Sequence, residues 1–463
     1  MTATLQSITR RLRDLLGESA IIDDPGLMAP YGGDRAALAQ PDPTCVVLPH
    51  SVGELRAVVD LARRDGVSLV PSGGRTGLSG GALAARGEVV VALEHMHRVL
   101  ALDPLERTIE VEAGMTTAMV QEQAARAGLF YGVDLASAGS SQIGGNIATN
   151  AGGVRVIRYG MTREQVRGLT VVDGRGELME LNRGLVKNNT GLDLRHLFVG
   201  SEGILGFIVA ATLSLHTPPG VPAVMLLAVP DLGSILAVLQ AFTRVLELNA
   251  FEFFGHNGLL RVLDAQGRSA PLGVSAPFYA LVEFEEQDNR DAALGVLSRL
   301  LDEGRVSDGV LSQTLAQVHE LWRLREAMSE TLARWRPYKN DISVRVPQLP
   351  AFIDRVQALI DREYAGFEVV WYGHIGDGNL HLNVLRPEGA DDTAFRLSCA
   401  KVSQHVAALV AECGGSISAE HGIGLLKKDL LIYTRSTAEI AAMRAIKQVF
   451  DPSGIMNPGK VLS

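Results

Sequence analysis

The spacing of apolar residues in the first part of the chain predicts a helix followed by a buried strand. Ser51 has the position of an N-cap with Glu54 three residues later, and apolar residues then recur on one helical face, which predicts a helix over residues 51–64. Residues 67–71, VSLVP, form a short apolar run that is typical of a buried strand. This strand runs directly into SGGRTGLSGG, residues 72–81, and therefore ends in a glycine-rich loop.

A second glycine-rich block, DLASAGSSQIGGNIATNAGG, occupies residues 134–153. It has so little apolar bulk that neither an ordinary helix nor an ordinary strand is predicted for it. Glycine allows the backbone to turn through positive φ or to approach a ligand closely, and successive N–H groups in such loops form concave anion sites. Two such blocks indicate a large phosphate-bearing ligand, while a structural turn is the alternative for either block alone.

Two common nucleotide motifs fit these glycines poorly. SGGRTGLSGG lacks the Gly-Lys-Ser/Thr ending of a Walker loop. GDGNLH, residues 376–381, has His381 in place of the last glycine of a Rossmann fingerprint, and it precedes a strand. Nucleotide hydrolysis and NAD binding are therefore both disfavoured.

After Gly220 the pattern changes to longer alternating strand and helix segments. The β-α-β-α order predicts an antiparallel sheet with helices on one face, of the ferredoxin-like kind. Further on, WYGHIGDGNLHLNV, residues 371–384, predicts two strands joined by the loop HIGDG. Ser436 and Glu439 form a capping box that predicts a final helix.

Composition and charge narrow the class of protein. A chain of 463 residues has room for roughly two to three domains. The net charge is −9 and the basic residues are dispersed, which argues against nucleic acid as a partner. Cys45, Cys399 and Cys413 are far apart, so a disulfide scaffold is disfavoured and a reducing cytoplasm fits best. No apolar run is long enough for a transmembrane segment, and a soluble cytoplasmic protein is expected.

The loop HIGDG and the strand after it concentrate residue types that bind metals. His374 and His381 are seven residues apart across a tight turn, and a third ligand could come from Glu420-His421. Two histidines and one carboxylate suit a divalent metal. The alternative at this point is that His374 caps the loop and His381 satisfies a buried backbone group.

Seven segments of the chain, in order, resemble one known family: PSGGRTGLSGG, SSQIGGNIATNAGG, YGMTREQVRGLTVV, VGSEGILGFI, YGHIGDGNLHLNV, SAEHGIGLLKK and FDPSGIMNPGKVL. The chain resembles the FAD-dependent D-2-hydroxy-acid dehydrogenases of the vanillyl-alcohol-oxidase (p-cresol methylhydroxylase) superfamily. The resemblance implies an α+β fold with a two-subdomain FAD-binding PCMH-type domain, a ferredoxin-like antiparallel cap domain and a C-terminal helical segment. The implied boundaries are 1–219 for the FAD-binding domain, 220–430 for the substrate and metal-binding cap domain, and 431–463 for a C-terminal segment that returns to the FAD domain.

The resemblance also implies how FAD is bound. The first glycine block holds the pyrophosphate, and the second wraps the flavin and ADP portions. Non-covalent binding is expected, because no histidine lies between Ser51 and Glu94 that could attach the cofactor. The implied cofactor-binding residues are Pro71, Ser72, Gly73, Gly74, Arg75, Thr76, Gly77, Leu78, Gly139, Ser140, Gly144, Gly145, Asn146, Ala148, Thr149, Gly152, Gly153, Glu202, Gly203, Ile208 and Asn457.

The remaining motifs imply a catalytic group. His374, His381 and Glu420 match metal ligands, with Zn²⁺ as the expected ion, and His421 matches the base that takes the proton of the substrate 2-hydroxyl. Asp377 is expected to hold the turn. The implied substrate-binding residues are Arg325, Ser329, Lys339, Asn383 and His421, with Ser329 expected one helical turn beyond Arg325 and on the same face.

Lys339 decides between the substrates that the resemblance allows. Lysine at this position is found in hydroxyglutarate-type members, which implies oxidation of D-2-hydroxyglutarate to 2-oxoglutarate, and the alternative is D-lactate or glycolate. In the absence of an NAD fingerprint, the implied electron acceptor is an electron-transfer flavoprotein or a quinone. The sequence leaves the oligomeric state open, with a homodimer as one option.

Overall fold

The computed structural model describes residues 3–364 and 366–462, apart from the side chains of residues 3–7. The chain divides into two compact units. The first comprises Met1–Gly153, Gly160–Pro218 and Glu420–Ser463, and the second comprises Val154–Tyr159 and Pro219–Ala419. Each unit combines helices with an antiparallel sheet, and the first unit also contains a sheet with parallel strands, which agrees with the predicted α+β fold class.

The regular elements are numbered in chain order. The helices are α1 (Ala3–Leu16), α2 (Pro25–Met28), α3 (Val52–Asp65), α4 (Thr117–Arg126), α5 (Ile143–Thr149), α6 (Val156–Tyr159), α7 (Thr162–Gln165), α8 (Arg195–Phe198), α9 (Leu232–Thr243), α10 (His256–Gln266), α11 (Arg290–Asp302), α12 (Leu315–Glu326), α13 (Met328–Ala333), α14 (Leu349–Glu363), α15 (Asp392–Glu412) and α16 (Thr437–Phe450). The strands are β1 (Ile21–Ile22), β2 (Cys45–Val47), β3 (Leu69–Ser72), β4 (Val89–Ala92), β5 (Val99–Asp103), β6 (Thr108–Glu112), β7 (Val166–Asp173), β8 (Leu178–Leu181), β9 (Gly206–Ser214), β10 (Pro222–Val229), β11 (Leu248–Gly255), β12 (Phe278–Glu285), β13 (Asp308–Leu311), β14 (Tyr338–Ser343), β15 (Glu368–Gly373) and β16 (Asn379–Leu385). Short 3₁₀ turns lie at Glu18–Ala20, Val346–Gln348 and Lys428–Tyr433.

The first unit is built on two sheets. One has the strand order β1-β2-β4-β3, in which β2, β4 and β3 are parallel, and the other is antiparallel with the order β5-β6-β9-β7-β8. Val46, Val70 and Val90 on the first sheet are fully buried, since parallel strands are covered on both faces. Strand β3 leads directly into the first glycine block, as the sequence predicts.

Two predicted helix caps are confirmed. The Ser51 hydroxyl accepts a hydrogen bond from the Glu54 N–H at 3.2 Å and starts α3, which ends at Gly66 with φ of 65°. Ser436 and Glu439 form a reciprocal capping box at the start of α16.

The second glycine block contains a helix that the sequence did not predict. In α5, Ile143 and Ile147 lie one turn apart and are both fully buried, so two apolar side chains are enough to attach the helix to the core. A Cβ on Gly144 would lie 2.8 Å from the Cβ of Ala113, so the small residues allow close packing. The prediction was wrong because it counted apolar bulk in the segment and could not include the neighbouring residues that pack against it.

The second unit contains one antiparallel sheet with the strand order β13-β10-β12-β11-β15-β16-β14. Its first four strands alternate with α9, α10 and α11 and have the spatial order fourth, first, third, second, which is the predicted ferredoxin-like strand order. The prediction of helices on one face was wrong, because α10 and α12 cover one face while Leu297 of α11 lies beside Leu227 on the other. Three further strands extend this sheet beyond β11. One face is covered by an apolar core that includes Phe254, Trp322 and Met328.

Candidate active site

The hairpin of β15 and β16 is the centre of the predicted site. The two strands are antiparallel and are joined by residues 374–378, as the sequence predicts. Gly378 has φ of +90°, and a Cβ at this position would lie 2.3 Å from the carbonyl oxygen of Val344. The Asp377 carboxylate accepts a hydrogen bond from the Asn379 N–H at 3.1 Å, which is a turn-holding contact. His374 and the strand that carries His381 are therefore joined by a constrained turn.

Strand register gathers polar side chains on one face of this sheet. Lys339 on β14 lies opposite Asn383 on β16, and Asp341 lies opposite His381. On the other side of β16, Tyr372 of β15 also lies opposite His381. Side chains of directly opposite residues project from the same face of a sheet, so these five form one polar group.

The two histidines lie close together, and each has a carboxylate beside its Nδ1. Their ring centroids are 5.3 Å apart with the ring planes at 84°. His374 Nδ1 lies 2.6 Å from Oε1 of Glu252, and His381 Nδ1 lies 3.6 Å from Oδ1 of Asp341, which is an ion-pair distance. A carboxylate that accepts the Nδ1 proton fixes the tautomer and the orientation of an imidazole, as is usual for metal-bound histidines.

Glu252 also pairs with a predicted substrate-binding residue. Arg325, on α12, has its Nε 2.8 Å from Oε2 of Glu252. The Nε–H does not point at that oxygen, so the contact is an ion pair and both atoms are buried without a hydrogen-bond partner. The Arg325 guanidinium lies over the ring of Tyr372, 4.7 Å from its centroid. Glu252 was not predicted as a site residue, although a charged residue inside the apolar strand LNAFEFFG was a signal, because acids are rarely buried unless they are paired.

Ser329 lies in the helix that follows the one carrying Arg325. Helix α12 ends at Glu326 and Ser329 belongs to α13, but Ala327 between them keeps the right-handed helical conformation, so Ser329 still lies about one turn beyond Arg325. Ser329 also joins the same group, because its hydroxyl oxygen lies 3.1 Å from Lys339 Nζ.

Tyr372 links these residues. Burial raises the pKa of its hydroxyl, and the positive charge of Arg325 and hydrogen bonds with Ser329 and Asn383 offset part of that rise. The group of Arg325, Ser329, Lys339 and Asn383 around Tyr372 is called the cationic cluster below.

In the first unit, the two glycine blocks come together. A Cβ on Gly74 would lie 2.0 Å from the carbonyl oxygen of Ser140, and one on Gly73 would lie 3.7 Å from Cα of Gly145. The adjacent Arg75 has φ of 59°. Gly74 is therefore required by the close approach of one block to the other, and two stretches that are far apart in sequence form one surface.

The glycines of the second block serve two different purposes. A Cβ on Gly153 would lie 1.8 Å from the carbonyl oxygen of Asp134, so this glycine is required by packing. A Cβ on Gly139 or Gly145 would meet no described atom of the chain within 4 Å. These two positions leave room beside the backbone, which is what the approach of a bound cofactor requires.

A third and a fourth segment join this surface. Gly203 has φ of 74°, and a Cβ there would lie 2.8 Å from Cγ of Pro71 in the first block. Asn457, near the C-terminus, donates from Nδ2 to the carbonyl oxygens of Gly81 and Glu202 at 2.9 and 2.7 Å. The four segments that were predicted to bind the cofactor are thus neighbours in the fold.

The Glu202 side chain has a role that the sequence did not indicate. Its carboxylate accepts hydrogen bonds from the N–H groups of Ile423 at 2.7 Å and Gly424 at 2.8 Å. Burial raises the pKa of this carboxyl to about 7, although the two backbone hydrogen bonds oppose the rise. Glu202 therefore holds the segment that directly follows Glu420 and His421, which are both half-buried.

The other predicted residues differ in their surroundings. The side chain of Asn146 is buried and donates to Thr117 Oγ1 at 2.7 Å, and Ile208 is a buried residue of β9. The Thr149 hydroxyl donates to the carbonyl oxygen of Gly145 at 3.0 Å. The remaining predicted cofactor residues lie on the same segments and are Ser72, Thr76, Gly77, Leu78, Ala148 and Gly152.

Comparison with known proteins identifies the family. The profile described as "FAD binding domain" matches residues 43–182, and the profile described as "FAD linked oxidases, C-terminal domain" matches residues 218–461. A protein of Stutzerimonas stutzeri (strain A1501) named D-2-hydroxyglutarate dehydrogenase is 49% identical over 98% of this chain and 98% of its own length. A protein of the same name from Xanthomonas citri pv. viticola is 51% identical over 95% of this chain and 93% of its own length.

A solved structure supports the fold. The structure of p-cresol methylhydroxylase with substrate bound superposes with a TM-score of 0.78 and 15% sequence identity, and the match covers 100% of this chain and 98% of that one. At this identity the likeness concerns the fold alone. With the profile matches and the bacterial relatives, it follows that the chain belongs to the FAD-dependent D-2-hydroxy-acid dehydrogenases of the vanillyl-alcohol-oxidase (p-cresol methylhydroxylase) superfamily.

Proposed function

We propose that this enzyme oxidises D-2-hydroxyglutarate to 2-oxoglutarate. The observation that carries the proposal is the cationic cluster, in which Arg325 lies over Tyr372 and Lys339 reaches Ser329 at 3.1 Å. A dicarboxylate needs two cationic partners, whereas a monocarboxylate needs one. The names of the two bacterial relatives support the same substrate.

The cluster offers specific partners to such a substrate. In our proposal Arg325 binds one carboxylate in a bidentate manner and Lys339 binds the other. Asn383 Oδ1 is buried without a hydrogen-bond partner, and leaving such a group unsatisfied costs about 1–3 kcal/mol. A polar substrate that supplies partners is therefore favoured, and Asn383 is suited to accept a hydrogen bond from its 2-hydroxyl.

The surface formed by the glycine blocks fits FAD. Gly139 and Gly145 have room beside them, while Gly74 brings the first block against Ser140 of the second. Bound FAD supplies an acceptor at N5 for the hydride that leaves C2 of the substrate. Binding is proposed to be non-covalent, as the sequence predicts.

We further propose that His374, His381 and Glu420 hold a divalent metal, with Zn²⁺ as the expected ion. Two imidazoles at 5.3 Å suit this chemistry, and the Glu252 carboxylate at Nδ1 of His374 directs the lone pair of that ring to Nε2. The assignment of Glu420 is supported by the motif SAEHGIG. A bound metal supplies a Lewis acid that lowers the pKa of the 2-hydroxyl. His421 is the proposed base for the hydroxyl proton.

We propose the electron acceptor and the location on the basis of the sequence. An electron-transfer flavoprotein or a quinone is the proposed acceptor, and the cytoplasm is the proposed location. Among the helices that the structure describes, none is both long and apolar enough to cross a bilayer.

The substrate proposal is tested by removing the second cation. Lys339→Ala is expected to lower kcat/KM for D-2-hydroxyglutarate about 10- to 100-fold. This loss corresponds to the free energy of one hydrogen bond to a charged group, which is about 1.5–3 kcal/mol. The value for D-lactate should change about threefold or less, since that substrate has no second carboxylate. Lys401→Ala, at an exposed position of α15, is the control and should leave both values unchanged. Equal losses on both substrates after Lys339→Ala would show that the lysine does not recognise the distal carboxylate.

A further inference from the structure

Glu252 contacts two residues with different proposed tasks. Its side chain is 1% exposed. Glu252 lies on β11, which pairs with β15 through Phe254 and Tyr372. One carboxylate oxygen is 2.6 Å from Nδ1 of His374, and the other is 2.8 Å from Nε of Arg325. A single carboxylate therefore joins a proposed metal ligand to a proposed substrate-binding residue.

The geometry couples the positions of these two side chains. The two oxygens of a carboxylate are at a fixed separation, and the backbone of Glu252 is fixed because β11 lies inside the sheet between β12 and β15. If the carboxylate moves to keep its contact with one partner, it therefore loses its contact with the other. A buried charge is costly unless it is paired, which adds a penalty to any arrangement that breaks either contact.

We propose that Glu252 is a shared positioning residue that orients His374 towards the metal and Arg325 towards a substrate carboxylate. This inference rests on the proposed function and adds one claim to it, namely that metal affinity and substrate affinity depend on the same side chain. A purely structural buried acid would alter neither affinity selectively.

Glu283 provides a matched control. It lies on the neighbouring strand β12, opposite Ala250 of β11, and it is 2% exposed. It too is paired, with Trp322 Nε1 at 2.7 Å and Arg155 Nη2 at 3.4 Å. None of these partners is a proposed metal ligand or substrate-binding residue.

The test compares Glu252→Gln with Glu283→Gln in the full chain loaded with FAD. Glu252→Gln removes the charge that orients both partners, so the dissociation constant for Zn²⁺, measured by competition with a chromophoric chelator, should rise about 10- to 100-fold. At saturating Zn²⁺, KM for D-2-hydroxyglutarate should also rise about tenfold or more. Glu283→Gln should leave both values within about threefold of wild type.

The outcomes separate this inference from the proposed function. If Glu252→Gln matches Glu283→Gln in either measurement, the shared role is overturned. A wild-type enzyme that binds no divalent metal overturns the metal proposal and this inference together. If the wild type prefers another D-2-hydroxy acid, only the proposed substrate fails, and KM is compared with that acid instead. If Glu252→Gln does not fold, Glu252→Asp takes its place, because it keeps the charge but withdraws the carboxylate by about one methylene, and the same two losses are expected.

Discussion

At the scale of single residues, buried carboxylates organise both units. Glu252 joins His374 to Arg325 in the second unit, and Glu202 holds the backbone of Ile423 and Gly424 in the first. Charged groups are rarely buried without partners, and each of these has two. We conclude that the orientation of the predicted site residues depends on acids that lie beside them.

Glu202 gives a pH-dependent prediction. Its pKa is about 7 in the folded chain against an ordinary value of 4.5, so between these values the folded state holds a proton that the unfolded state has released. Because the unfolded state then binds fewer protons, the contribution of this group to stability is full below about pH 4.5 and is lost as the pH rises through about 7, by up to about 1.4 kcal/mol per pH unit.

Glu202→Gln has no carboxyl to titrate, while the other titrating groups are common to both proteins. The wild-type unfolding temperature minus that of Glu202→Gln should therefore fall steadily from pH 5 to pH 7.5. Thermal unfolding of both proteins across this pH range measures the difference between their unfolding temperatures. A difference that stays constant with pH would mean that the pKa of Glu202 is not raised.

The residues of the hairpin and the buried acids differ in how far they could be predicted from the sequence. His374, His381 and Asn383 lie within ten residues of one another, so alternation and turn glycines were enough to place them on one hairpin. Glu252 is separated from His374 by 122 positions, and only the order of strands in the sheet brings the two together. Sequence patterns report local geometry, whereas strand order is set by packing of the whole unit.

At the scale of elements, the β15–β16 hairpin depends on the conformation of its loop. The two strands and the loop between them agree with the sequence prediction, because the strand pattern and the loop glycines are both local signals. The helix α5 was missed for the opposite reason, since its stability comes from residues elsewhere in the first unit. The break between α12 and α13 was also missed, and no glycine or proline marks it in the sequence.

The hairpin loop should lose stability when a side chain is added at Gly378. Gly378→Ala should lower the unfolding temperature by about 5 °C or more, because the added methyl would lie 2.3 Å from the carbonyl oxygen of Val344 at a positive φ. The matched control is Gly389→Ala, since Gly389 has φ of 76° but no described atom within 4 Å of its added Cβ. The control carries only the cost of the left-handed conformation, about 1–2 kcal/mol, so its unfolding temperature should fall by less than that of Gly378→Ala. Thermal unfolding followed by circular dichroism compares the two, and equal shifts would mean that the contact with Val344 is readily relieved.

At the scale of the whole molecule, each unit assembles its part of the chemistry from distant segments. In the first unit, four segments between Pro71 and Asn457 meet at the glycine blocks. In the second, the extension of a ferredoxin-like sheet by β15, β16 and β14 creates the polar face that carries the cationic cluster. The ferredoxin-like arrangement was predicted from the alternation of strands and helices, but the places of β15, β16 and β14 in the sheet could not be predicted, because they do not follow chain order.

The central claim is that this FAD enzyme takes a D-configured dicarboxylate hydroxy acid as its substrate. The most direct test mixes the oxidised enzyme anaerobically with D-2-hydroxyglutarate, L-2-hydroxyglutarate and D-lactate and follows the loss of oxidised-flavin absorbance, which requires no external acceptor. We predict that D-2-hydroxyglutarate reduces the flavin about tenfold or more faster than D-lactate at equal concentration, and that the L-enantiomer leaves it oxidised. Flavin reduction by D-lactate at an equal or higher rate, or by the L-enantiomer, would contradict the account.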